Sequence, residues 1–231
     1  MKGTGLRTER DERSAAYPAS RLLAIAGEVA PTHVEPKDQV YHRSAPRLDQ
    51  KNRPDCHGFA VRQAANSGPI MTLSGPDATA IARLNCERDS RVHGWRLDYD
   101  NGATADSAAA TMKDLGWAES YWWTSPGMAG ADEAMEWICR GGTVLAATPW
   151  VESLDRPNPR TGWVEIPLGQ EILSWHLWLL SGASRRLGRW RGTNSWGNDW
   201  GHLGFFRGDR DGLRNLFAMG GFGACVVERR P

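Results

Sequence analysis

Apolar and polar positions change rhythm along this chain. Up to about residue 45 no rhythm holds: Pro18, Pro31, Pro36 and Pro46 punctuate the segment, and its apolar patch is Leu22, Leu23, Ile25 and Val29. This reads as an extended arm over residues 1–45, docked through that patch or, over its first dozen residues, disordered. From 46 to 140 the pattern is helical. CHGFAVRQAAN (56–66) has Phe59 near its start and stops before Ser67, Gly68 and Pro69. In SGPDATAIARLNCERDS (74–90), Pro76 marks a helix start, and Ile81 and Leu84 share a face. TADSAAATMKDLG (104–116) has Thr104 as cap and Gly116 as terminator. ADEAMEWICRGG (131–142) is a short amphipathic helix stopped by Gly141 and Gly142.

From 141 to 231 the rhythm is that of strands. Val144–Ala147 is a short apolar run. HLWLLSGA (176–183) and RWRGTN (189–194) flank a turn near Gly188, GFFRG and ACVVERR follow, and a short helix fits Asp211–Phe217. A helical half followed by a sheet half predicts an α+β protein.

Composition narrows the class. A chain of 231 residues, 40% hydrophobic and with a mean hydropathy of −0.52, can bury a core of its own. With 28 basic and 27 acidic residues the net charge is +1, which supplies no field for nucleic acid or an anionic membrane. The apolar stretch Leu22–Ala30 is short and contains Glu28, so neither a secretory signal nor a transmembrane helix is expected. Cys56, Cys86, Cys139 and Cys225 are widely scattered, so four free thiols in a reducing compartment are expected rather than a disulfide framework or a zinc site. His42, His93 and His202 lack ligand-like spacing, and Asp98, Asp100 and Asp106 lack the closing Glu of a calcium loop.

Among the candidate reactive groups, Cys56 opens a helix, where free N–H groups and the dipole favour a thiolate, with Lys51 and Arg53 nearby. Taken alone it reads more readily as a small buried residue capping a core helix. His176 begins an apolar strand and Asn194 lies eighteen residues later, so a hairpin would put them on neighbouring strands. Asn194 would then orient the imidazole, with Trp196 as a shield, completing a nucleophile, base and orienter.

These segments resemble the papain family of cysteine peptidases. DQKNRPDCHGFA is similar to the family's Gln-(five residues)-Cys segment, WHLWLLSGA to its His-led strand, and NSWGNDWGHLGFF to its Asn-Ser-Trp-Gly signature. DNGATADSAAATMKDLGW is a weaker match to the substrate strand and the helix after it. The likeness covers about residues 45–231 and is nearest the compact bacterial and bacteriophage forms. It implies two lobes in one catalytic domain (46–231): a helical lobe, 46–140, with the nucleophile, and a β-barrel-like lobe, 141–231, with His and Asn. An extended peptide would lie in the cleft between them.

The resemblance implies Cys56 as nucleophile, His176 as general base and then acid, and Asn194 as its orienter. Gln50 and the Cys56 N–H would form the oxyanion hole, and Gly102 and Ala103 would pair with the peptide backbone. Trp175 would border the cleft, and Trp196 would cover the His–Asn bond beside the bound substrate. The implied partner is a peptide or protein substrate. No cofactor, metal, nucleic acid or membrane is expected, and the expected location is the cytoplasm or a virion.

The sequence departs from the family at Pro54 and Asp55 before the thiol, His57 after it, and Trp175 before the base. Arg53 and Asp100 stand where a common disulfide falls. Asp55 would raise the thiol pKa, and Pro54 removes a backbone donor. These changes motivate an alternative, a weak or inactive papain-fold structural or binding protein such as a virion component. Residues 1–45 crossing the cleft as an inhibitory arm are a further reading. His57 is expected to point away from the thiol, the tryptophans to be core more than a sugar- or peptide-binding platform, and Arg185, Arg186, Arg189 and Arg191 to form a solvated turn.

Overall fold

A computed structural model describes residues 6–8, 37–42 and 45–228. The apolar patch Leu22–Val29 lies outside them. The first half contains the two-residue strands β1 (Leu6–Arg7) and β2 (Gln39–Val40), then α1 (Cys56–Ala65), α2 (Ala78–His93), β3 (Ala103–Thr104), α3 (Ala105–Asp114), β4 (Ala118–Trp123) and α4 (Met128–Cys139). The second half contains β5 (Thr143–Val151), α5 (Glu152–Asp155), β6 (Ile172–Ser184), β7 (Arg189–Thr193), β8 (Phe205–Asp209), α6 (Arg210–Ala218) and β9 (Phe222–Glu228).

Local chemistry sets the helix limits. Asp77 caps α2 by accepting from Ala80 N, and Gly94 ends it in the left-handed region at φ 69°. Pro76 therefore stands before the cap, outside the helix. Thr104 caps α3 by accepting from Ser107 N. The buried face of α2 is Ile81, Ala82, Asn85, Cys86 and Asp89; Leu84, expected beside Ile81, is 38% exposed. The other departure is β4. The helical reading of residues 46–140 passed over it, but Tyr121 and Trp123 pair with Val226 and Ala224 of β9. Aromatic residues at successive positions favour such a pleated, half-buried strand.

The large sheet is antiparallel in the order β4-β9-β5-β6-β7-β8, with β2 added to β6. That path does not close on itself among the described residues. Both faces of its centre are covered, which explains the unbroken apolar runs in β5 and β6. Val144, Ala146 and Trp150 of β5 join Trp178 and Leu180 of β6 in a core completed by α4, α6, Trp190 and Phe206. Leu145 and Ala147 join Leu177 and Leu179 in a second core with Cys56, Ala60, Val61 and Ala64 of α1 and the alanine face of α3.

Helix α1 is buried along its whole length. It approaches α2 so closely at Gly58 that a Cβ there would lie 2.3 Å from Ala78 O and 2.5 Å from Ala82 N. Both neighbours are backbone, so neither can rotate aside. Gly58→Ala should destabilise the fold by about 3 kcal/mol, the upper end for overpacking, read as a lower urea midpoint with an unchanged m-value.

Candidate active site

Cys56 is the first residue of α1 and is fully buried. Burial pushes its thiol up to about 12; the N–H groups of Leu177, His57 and Cys56 pull against it, and the Asp55 carboxylate adds to the rise. The Leu177 contact matters for geometry, because it places the sulfur against the residue following His176. Asp55 is itself buried, which raises its carboxyl, and Arg53 opposes that from 2.7 Å. Its backbone carbonyl accepts from Gly58 and Phe59, tying down the first turn of α1. Asp55 therefore does weigh against the thiolate, as expected, but less than burial does.

His176 and Asn194 come together through the β6–β7 hairpin. Leu179 pairs with Thr193, and Asn194 is the next residue. His176 Nε2 lies 2.8 Å from Asn194 Oδ1. That oxygen also accepts from Ser195 N at 2.7 Å, which fixes which end of the amide faces the ring. Facing an acceptor, Nε2 carries the proton, so in the neutral imidazole Nδ1 is the basic nitrogen. Both side chains are fully buried.

Tryptophans wall off this pair. Trp196 lies 5.3 Å from His176 between ring centres, and Trp150 meets both at 4.8 Å, edge to face. Trp200 packs behind them. Trp196, expected beside bound substrate as well as over the His–Asn bond, is 2% exposed and packs on the imidazole. Sequence reasoning missed Trp150. Its signal is the register: Thr148 pairs with His176, so Trp150 lies two residues further along the same face of β5.

Gln50 is also fully buried. Its N–H donates to Ser195 O at 2.8 Å, its Nε2 to Arg53 O at 2.7 Å, and its Oε1 accepts from Ser195 Oγ. Asp49 bridges Trp196, and Gly197 N donates to Leu48 O. The segment leading to the thiol is thus zipped to the segment carrying Asn194. Ser195, missed as a positioning residue, was legible only as part of the signature.

Gly102 (φ 73°) turns the chain into β3, and Ala103 is fully buried. Asp89 clamps this strand, accepting from Thr104 N and Oγ1 at 2.7 Å and from Ser107 Oγ at 2.5 Å. The edge of β3 is occupied: β1 pairs with it in parallel, Leu6 opposite Ala103 and Arg7 opposite Thr104. Leu6, 8% exposed, belongs to the core that contains Cys56 and Leu177. Trp175 packs against the same core, half-buried, its ring beside Gly220, where a Cβ would meet it at 3.1 Å. Trp178 turns to the opposite face.

His57 faces α2, with Nδ1 3.0 Å from Asn85 Nδ2. Burial drives its pKa down to about 3. The four cysteines are buried and free, and Cys86 donates to Gly102 O at 3.6 Å. No helix among the described residues is long and apolar enough to cross a membrane.

No family model and no curated protein matches the chain. Solved structures do. Xylellain, a cysteine protease from Xylella fastidiosa, superposes with a TM-score of 0.65 at 14% identity, over 99% of this chain and 98% of that one. The ragweed pollen allergen Amb a 11, a cysteine protease in its proform, gives 0.64 at 13% identity over 99% and 77%. The bromelain protease of Ananas comosus, in complex with the inhibitor E64, gives 0.59 at 11% identity over 82% and 99%. The chain has the papain-like fold of these proteins.

Because His57 stays neutral when folded but titrates near 6.5 when unfolded, protons favour the unfolded chain as pH falls below about 6.5. This contribution is intact above that value and is lost progressively toward pH 3, at about 1.4 kcal/mol per pH unit. Urea melts at pH 4, 5 and 7 should show the loss, and His57→Gln, which keeps an acceptor for Asn85, should flatten the slope by about one proton.

Proposed function

We propose that this chain is a papain-like cysteine peptidase held latent by its own N-terminal segment. The observation that carries the reading is the His176–Asn194 pair, buried under tryptophan, on the strand whose next residue bonds the Cys56 sulfur. In the reaction, Nδ1 of His176 takes the thiol proton and Sγ attacks the substrate carbonyl carbon. The imidazolium is steadied by Asn194 through Nε2–H. The Cys56 N–H and the Gln50 amide receive the oxyanion. His176 then protonates the leaving amine as the C–N bond breaks, and water, deprotonated by His176, releases the acid and restores the thiol. No cofactor enters these steps. The substrate is a peptide or protein, in keeping with an extended strand laid along β3.

Latency accounts for the burial. A thiol near 12 with no exposed surface is neutral at pH 7 and closed to reagents. Leu6 ties the arm to the core that contains Cys56, while β1 holds the edge a substrate backbone needs. The buried thiol and Asp55 also suit the alternative, a papain-fold binding protein without activity.

Leu6→Asp, which sets a charge in that core, should loosen β1 and raise the rate of Cys56 alkylation by iodoacetamide at pH 7 about tenfold or more. It should also unmask cleavage of a denatured protein, and Cys56→Ala in the same background should abolish that cleavage while the circular dichroism is retained. Unchanged alkylation would remove the inhibitory role of the arm. Fast alkylation without cleavage would leave the binding-protein reading.

A further inference from the structure

The strand that occupies β3 also shows how β3 reads a side chain. Alternation puts Leu6 and Arg7 on opposite faces of β1. Leu6 goes to the core around Cys56, while the Arg7 guanidinium lies over the ring of Trp95, 4.7 Å from its centre. That platform is built without help from the arm. Trp95 follows the left-handed Gly94 that ends α2, and its carbonyl accepts from Ser90 Oγ at 2.8 Å. The ring is stacked on His93, with centres 4.2 Å apart and planes 21° from parallel. His93 Nε2 lies 3.8 Å from Asp89, the residue that clamps Thr104. The backbone edge and the aromatic plate are therefore joined through Asp89 and His93. Three residues further along the chain from Trp95, Asp98 is held in its loop by Asp100 N and Asn101 Nδ2. Those two bonds and then the Arg7 charge keep its carboxyl below its usual range.

We propose that Trp95 is a specificity-determining residue of the cleft, forming with Asp98 a subsite for the arginine or lysine side chain of a substrate at the position opposite Thr104. The proposal rests on the peptidase reading above. Residues directly opposite one another share a face of a β-ladder whichever way the strands run. A substrate docked antiparallel would therefore present its side chain to the same plate that Arg7 covers. A guanidinium over indole is stabilised by the ring quadrupole, and arginine can also stack flat on it. A neutral side chain of the same shape loses the first of these and the attraction of Asp98.

The experiment uses the full chain carrying Leu6→Asp, so that β3 is free. Four peptides are compared: Leu-Arg and Arg-Leu in one flanking sequence, and the same two with citrulline, the neutral isostere, for arginine. The arginine peptide of one order should be cleaved with a kcat/KM about fivefold or more above its citrulline twin, and the favoured order gives the strand direction. Trp95→Ala should bring that ratio near one, and Trp95→Phe should leave it between the two. A ratio near one before mutation, or one that Trp95→Ala leaves intact, overturns the subsite. If no peptide is cleaved, the peptidase reading falls, and the same ratio is read from protection of Cys56 against iodoacetamide. A preference for arginine there keeps the subsite, and no preference overturns it.

Discussion

One strand serves two cores, and the site follows from that constraint. In β6, the alternation that sends His176 and Trp178 toward the tryptophan side sends Trp175, Leu177 and Leu179 toward α1. The imidazole is thereby placed in one core while the backbone N–H of the next residue meets the sulfur that belongs to the other. A slip of one residue in the β5–β6 register would exchange the two faces. It is resisted by shape, because the slip would force Trp178 into the space of a leucine beside α1 and leave a leucine where Trp178 now packs.

Burial sets the chemistry as well as the position. The same exclusion of water that protects the His176–Asn194 bond also keeps Cys56 in its thiol form, because a thiolate without solvent or a close cation is disfavoured. The arrangement that shields the imidazole therefore also keeps the thiol neutral. Asp55 is a smaller part of that suppression, and Arg53 at 2.7 Å offsets it. The departure that looked most damaging in the linear sequence is thus weaker than the burial of the sulfur itself.

Much of this was legible beforehand, and for physical reasons. Helix ends were legible where a single residue fixes them: Thr104 with its hydroxyl, Gly116 with its positive φ. Cys56, His176, Asn194 and Gln50 were legible because they stand in ordered, closely spaced motifs. Contacts made at long range were not. Nothing local distinguishes Trp150, which shields the imidazole, from Trp137, which packs in α4, because the difference lies in a strand register. Leu84 looks apolar in a helical period, yet it falls outside the face that α1 and α3 cover. The pairing of Leu6 with Ala103 joins residues almost a hundred positions apart, and two residues carry no periodicity to read.

The zip between residues 48–50 and 194–197 has a mechanical consequence. Gln50 and Ser195 are separated by 145 positions, yet each holds the other twice, once through the backbone and once through side chains. A change at either one disturbs the segment before Cys56 and the segment carrying Asn194 together. The two segments, so far apart in the chain, are thereby bound into one mechanical piece, and a substitution that suits one end has to suit the other.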